Sequence, residues 1–468
     1  MYKLIGLLLF ILVFLSLPAF AKVQLPAFFS DNMVLQQKSH VRIWGTAAAG
    51  EKVGITPSWN HKKYTARTNT SGRWEVDVET PAAGGPFTLE IKGKNRIVLQ
   101  NILIGEVWLC SGQSNMDMPV KGFWGAPVLH ANDLLVEAPN SRIRLFHVAR
   151  KASGTPLADV AGKWAEADVA SVKEFSAVGY QFARLLQRHL GVPVGVIQSS
   201  WGGSPIEAWM NASSLDSPSK ANGLTGGATT RAPHQTPSNL FNGMIAPLAG
   251  YGLAGVLWYQ GEQNRFNYRD YALLQPSLVR EWRRLWGRGD WPFYYVQIAP
   301  MRYPQSQKAL LPYFREVQQQ LAAQIPNAGM AVSIDAGEED NIHPANKEVI
   351  AKRLAFLALS RTYGKTGIAA SGPQYQSFAV SGDTLSLRFS GAPMGMTVAG
   401  KELTQFEVAG ADKVFYKAWA RLKGTTVQVR SEAVPHPVAA RYAFSDWAVG
   451  ELYSAEGLPV APFRTDDW

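Results

Sequence analysis

A chain of 468 residues, 46% hydrophobic and 18% charged, is too long for one ordinary core, so two or three packed domains are expected. Its formal charge of +10 is modest for that size. Arg280, Arg283, Arg284 and Arg288 interleave with Trp282 and Trp286 as a solvated helix face does beside a buried one, so no nucleic-acid partner is expected. The single Cys110 excludes an intramolecular disulfide. The eight His are scattered, with no Cys pair and no His-x-x-x-His helix, which gives no metal site and no expected cofactor.

In chain order, Lys3 precedes an apolar run over 4–17 and Ala19-Phe-Ala21 offers a small-residue cleavage pattern. Residues 1–21 therefore read as a secretory signal peptide. The run is shorter than the ~20 residues a spanning helix needs. A periplasmic or secreted protein, without stable membrane insertion after cleavage, is expected.

Over 22–102, short β-rich runs such as Val41-Arg-Ile-Trp44 and Arg73-Trp-Glu-Val-Asp-Val78 alternate with glycine turns, the pattern of a small β-sandwich. Over 103–364, apolar strands (104–109, 194–198, 255–259, 293–298, 331–334) alternate with helical patterns (172–190, 268–285, 313–324, 344–363). Strands apolar throughout are covered on both faces, and right-handed crossovers then give a three-layer α/β/α parallel sheet. A loop rich in Ser, Gly, Thr and Pro at 213–238 is expected to lie over the site. Over 365–468 the β signature returns, in 384–389, 426–430 and 439–443, as a C-terminal β-rich domain.

The chemistry concentrates at Gly105-Glu-Val-Trp-Leu-Cys-Ser-Gly-Gln-Ser-Asn-Met116, where an apolar strand delivers Ser114 to the loop at its end. Open α/β sheets keep their sites there. A helix N-cap is the ordinary use of such a serine; as a nucleophile it needs a base and oxyanion donors. His343 in Asp340-Asn-Ile-His343-Pro344 supplies the base. Asp340, three residues upstream, can turn its carboxylate onto Nδ1 and leave Nε2 for the Ser114 proton; Asp335, Glu338 and Glu339 are alternative acids. An apparent pKa near neutrality is expected for the base. Cys110 lies on the same strand and reads as a buried small hydrophobe.

Eight blocks carry a resemblance: Phe29-Ser-Asp-Asn-Met-Val-Leu-Gln36, Gly72-Arg-Trp74, Ser111-Gly-Gln-Ser-Asn-Met116, Ser200-Trp-Gly-Gly-Ser-Pro-Ile-Glu-Ala-Trp209, Phe241-Asn-Gly-Met-Ile-Ala-Pro247, Trp258-Tyr-Gln-Gly-Glu-Gln-Asn264, Asp340-Asn-Ile-His-Pro-Ala-Asn-Lys347 and Pro462-Phe-Arg-Thr-Asp466. In this order they resemble the SGNH hydrolases, and more narrowly the sialate O-acetylesterase family. The resemblance implies an SGNH-type catalytic domain between two β domains, with the chain end close to the hydrolase body. It implies oxyanion donors at Ser114 N–H, a glycine N–H from Gly202 or, as favoured, Gly203, and the Asn264 side chain.

Gln113, Trp201, Trp209 and Glu262 are the candidate substrate contacts, with Glu262 also expected to organise its loop by accepting backbone N–H bonds. Aromatic faces suit sugar rings, although core packing is their commoner use. The implied activity is removal of O-acetyl groups from an acetylated carbohydrate, first of all sialic acids, by an acyl-enzyme on Ser114. Acetylesterases of plant-wall glycans (xylan, xyloglucan, pectin) share that chemistry. A non-catalytic carbohydrate-binding protein is the reading from another class.

Overall fold

The computed structural model describes residues 22–215, 231–304, 310–400 and 402–468. The expected signal peptide and part of the expected loop at 213–238 lie outside the described residues.

The chain builds a mixed α/β molecule around a large, mostly parallel sheet. Its main strands are β1 (Arg96–Gly112), β2 (Asn140–His147), β3 (Trp164–Ala167), β4 (Val194–Ser200), β5 (Gly255–Tyr259), β6 (Phe293–Val296) and β7 (Ala328–Ala331), in the order β7-β6-β5-β1-β4-β2-β3. Every pairing on this path is parallel except that of β3 with β2.

The main helices are α1 (Ser114–Asp117), α2 (Ala177–Leu190), α3 (Tyr268–Trp286), α4 (Leu311–Gln324) and α5 (Lys347–Leu357). On β1, Trp108 and Cys110 pack with Phe182 and Leu186 of α2 and Leu354 of α5, while Val107 and Leu109 join the cluster holding Trp282 of α3 and Phe314 of α4. Both faces of the last part of β1 are thus covered, and its run Val107-Trp-Leu-Cys110 is apolar because neither face meets water there. Ser176 caps α2 by accepting from Gly179 N, and Gly191 ends it in the left-handed conformation, the usual start and stop chemistry.

Three expectations shift. The strand expected at 331–334 occupies Ala328–Ala331, and α5 starts at Lys347 rather than at Pro344, because Asn346 caps it through Val349 N. Strand β2 was not foreseen: its sequence Asn-Ser-Arg-Ile-Arg-Leu-Phe-His interrupts the apolar run with arginines. Arg144 is nevertheless buried, its charge met by Glu166 at 2.9 Å and by the Ser141 carbonyl.

Ahead of β1, Ser39–Thr46 pairs with Arg73–Thr80, and Lys52–Pro57 pairs with Tyr64–Arg67 and Gly84–Lys92. Gly84–Lys92 pairs in turn with the first part of β1, whose last part sits between β4 and β5. One strand therefore serves both regions, and the expected boundary at 102/103 falls inside it. After residue 373 two four-stranded antiparallel sheets follow. Arg464, near the chain end, grips Glu316 of α4 through Nε–Oε1 at 2.9 Å and Nη2–Oε2 at 3.1 Å.

Candidate active site

Ser114 stands where β1 leaves the sheet. Gly112 has φ of 131°, and a Cβ there would lie 2.2 Å from the Tyr259 carbonyl oxygen. Only glycine lets β1 pass that close to β5. Gln113 N then donates to Tyr259 O at 2.9 Å, and α1 begins at Ser114 itself, half-buried at the carboxyl end of the central strand.

Two further strand ends converge on it. After β4, Gly202 lies against Ser114: a Cβ on Gly202 would meet Ser114 Cβ at 3.3 Å, whereas one on Gly203 would face His234 Nε2 at 3.6 Å. After β5, the side chain of Asn264 is held on all sides. Its Oδ1 accepts from Gln260 Nε2 at 2.7 Å and Ile206 N at 2.9 Å, and its Nδ2 donates to Glu207 Oε2 at 2.9 Å. An amide nitrogen carries two hydrogens, so among the described residues one N–H is left without a partner. Burial raises the Glu207 carboxyl pKa against the opposing effect of the Asn264 bond.

His343 arrives on the loop before α5. Its N donates to Asn341 Oδ1 at 2.9 Å, and its ring meets Phe123 edge to face at 5.2 Å. Asn115, next to Ser114, donates through Nδ2 to Ile342 O at 3.0 Å, which joins the turn carrying the serine to the loop carrying the histidine. Burial, then the charge of Lys347, lowers the His343 pKa to about 4. The imidazole is held neutral, the form a general base needs, and lies below the near-neutral value expected from its residue type.

Four carboxylates were open as the third member. Asp335 is taken by Arg353, at 2.6 Å to each oxygen, and by Tyr453 Oη at 3.1 Å. Glu338 accepts from Asn341 Nδ2 at 2.8 Å and Ala345 N at 2.6 Å, and Glu339 pairs with Arg302. Asp340 is exposed, and among the described residues no hydrogen bond or ion pair joins it to His343. Of the four it alone is unspent.

A serine at a strand end, a touching glycine, an amide with one free N–H and a neutral imidazole are the parts of an ester-hydrolysing site. The segment containing all of them, residues 104–356, matches the family model of carbohydrate esterases described as sialic acid-specific acetylesterase, over more than half of the chain. The chain belongs to this family. Sialate O-acetylesterase of Homo sapiens is 29% identical over 98% of this chain and 95% of its own length. That of Rattus norvegicus is 30% identical over 78% of each. A crystal structure of a carbohydrate acetylesterase from Xanthomonas citri is similar throughout, with a TM-score of 0.87, 34% identity, and coverage of 96% of this chain and 100% of that one. The chain is a carboxylic ester hydrolase.

Of the expected substrate contacts in this esterase, only Trp201 stays accessible. It stacks on His234 at 5.1 Å with planes 10° apart, and Arg150, ion-paired to buried Asp117 of α1, lies 5.9 Å from its ring. Trp209 is fully buried, its Nε1 donating to Ser204 Oγ at 2.8 Å, and is core. Gln113 is buried too, its Oε1 accepting from Gly261 N at 3.3 Å and Gln263 N at 3.2 Å, so it clamps the turn before Asn264. Glu262 is likewise interior. Its Oε1 accepts from the Asn115 side chain at 2.6 Å, and burial raises its pKa against the opposing effects of that bond and of a backbone N–H.

The residues the sequence reading left without a role are Asn115, Glu207, Lys347, Arg150 and His234. Lys347 had a readable signal: with Ile350, Ala351 and Leu354 it occupies i, i+3, i+4 and i+7 of one helix, the apolar face, where a lysine is out of place. His234 belongs to the expected loop over the site. The described end of that loop does reach the site, since Gln235 Nε2 donates to Gly203 O at 3.1 Å.

Proposed function

We propose that this chain is an exported serine esterase that removes O-acetyl groups from sialic acids. The observation that carries the reading is Gly202 lying against Ser114 while the Asn115 bond to Ile342 O ties the serine turn to the His343 loop. Ser114 Oγ attacks the acetyl carbon as His343 takes its proton; the proton returns to the departing sugar hydroxyl, and water then frees acetate by the same route in reverse. The oxyanion is met by Ser114 N–H, a glycine N–H and Asn264 Nδ2.

Gly202, rather than Gly203, is the glycine whose α-carbon faces Ser114, and we assign the donor to it. Asp340 is the acid proposed to orient His343: the neighbouring carboxylates are committed elsewhere, and catalytic hydrogen bonds are often long before substrate binds. The leader-like residues 1–21 support export to the periplasm or beyond. The covered parallel sheet supports an SGNH-type catalytic domain, with the strand-rich regions on either side as separate β domains.

Sialic acid as substrate is supported by the names of the family and of its mammalian relatives. The Xanthomonas citri relative, described only as a carbohydrate acetylesterase, favours other acetylated glycans as a second reading. Acetate release by the purified protein from acetylated sialosides, xylan, xyloglucan and pectin, side by side, decides between them: turnover highest on the sialosides supports the first reading. Turnover confined to the plant glycans would replace it.

A further inference from the structure

Beneath the reacting groups, three segments meet on one asparagine amide. Asn115 Nδ2 donates to Glu262 Oε1 at 2.6 Å and to Ile342 O at 3.0 Å, while its Oδ1 accepts from Lys347 Nζ at 2.5 Å. Lys347 is 1% exposed, at the first position of α5 on the face it shares with Ile350, Ala351 and Leu354. Taking an ammonium out of water costs several kcal/mol, and a Met or Leu would fill that face at no such cost. A lysine here is therefore expensive for packing alone, and among the described residues its side chain donates to the residue after the serine.

We infer that Lys347 is a positioning residue of the hydrolytic site, which acts through Asn115 to set the turn carrying Ser114 against the loop carrying His343. The inference rests on the serine-esterase reading above. Pulling the Nζ contact away leaves Asn115 free to turn its amide, and with it goes the bond to Ile342 O that fixes the approach of the histidine. A displacement of the order of 1 Å between nucleophile and base is enough to cost 10²-fold in rate.

The same ammonium has an electrostatic effect. The charged groups around it are Glu262 and Glu338, which favour its protonated form but are outweighed by burial, so that its pKa falls to about 7. Among the described residues Glu262 Oε2 has no hydrogen-bond partner. His343 feels Lys347 as a cation that disfavours the imidazolium; Asp340, three residues before His343, is exposed.

The test uses the full chain, with 4-nitrophenyl acetate as probe and Ser114→Ala as background. Lys347→Met keeps the bulk and removes both donor and charge; Lys347→Gln keeps a donor for Asn115 Oδ1 and removes only the charge. For Lys347→Met, kcat is expected to fall about tenfold or more at unchanged KM, and the acid limb of the pH profile to move up toward the ordinary histidine range. Lys347→Gln is expected to restore most of kcat at neutral pH while keeping the displaced limb, a split that a purely structural lysine would not produce.

Wild-type kcat and limb in Lys347→Met would overturn the inference, as would equal losses in both variants with the limb unmoved. Should Lys347→Met fail to fold, the limb of Lys347→Gln decides alone: displaced supports, unmoved overturns. Full activity in Ser114→Ala is a different failure, which sinks the serine reading and the inference with it.

Discussion

At the residue scale, His343 carries the sharpest expectation. Burial, reinforced by the Lys347 charge, takes its pKa from the usual value down to about 4. A general base works unprotonated, so kcat/KM should be level through neutral pH and fall only as pH drops through about 4. A limb near the ordinary ~6.5 of histidine would contradict the buried, cation-flanked environment. Asp340→Asn should lower kcat steeply at unchanged KM, because the amide lacks the charge that steadies an imidazolium and can favour the wrong tautomer. Near-full activity would remove Asp340 from the site.

As candidates, Ser114, Asn264 and His343 were legible because each stands in a block whose neighbours serve the same turn. The committed state of Asp335, Glu338 and Glu339 was not, since their partners Arg353, Ala345 N and Arg302 are set by tertiary contacts. Trp209 was misjudged for a related reason. Sequence gives a Trp at a strand end, but not which side of the loop it faces, and here its indole turns inward to Ser204.

At the scale of elements, the end of β1 is the part the site depends on most. Gly112→Ala would force a Cβ to within 2.2 Å of Tyr259 O at a φ of 131°, so either β5 moves or the serine turn opens. A loss of stability on the order of 3 kcal/mol is expected, the range of backbone strain plus overpacking, read by chemical denaturation. Wild-type stability together with wild-type activity would show that the strand passes Tyr259 with room to spare.

The central strands were legible from their unbroken apolar runs, and α3 was placed to within a residue of its end, with Gly287 stopping it in the left-handed conformation. Strands β2 and β3 were not, because at the sheet edge charged residues such as Arg144 and Glu166 supply part of the pattern and answer one another across the pair.

At the scale of the whole molecule, the C-terminal sheets are fastened to the hydrolase core by polar contacts with α4. Arg464 holds Glu316, and buried Arg315 reaches the carbonyls of Ser445 and Asp446. Arg464 and Glu316 are only 16% and 20% exposed, so Arg464→Ala should cost about 1–3 kcal/mol by leaving a largely buried carboxylate unpaired. Esterase kinetics should be unchanged; a lost kcat would mean that the C-terminal region shapes the site. The single strand shared by the first two regions was not legible, because Gln100-Asn101 and Gly105 interrupt the apolar run within β1.

The central claim is that Ser114 takes the acetyl group from a carbohydrate ester. Quenching the enzyme in acid during steady turnover of an acetylated sialoside, then mapping its peptides by mass spectrometry, tests that directly. The acetyl group is expected on the peptide containing Ser114, and on none in Ser114→Ala, which should also fail to release acetate above background. Acetylation of another residue, or undiminished acetate release by Ser114→Ala, would contradict it.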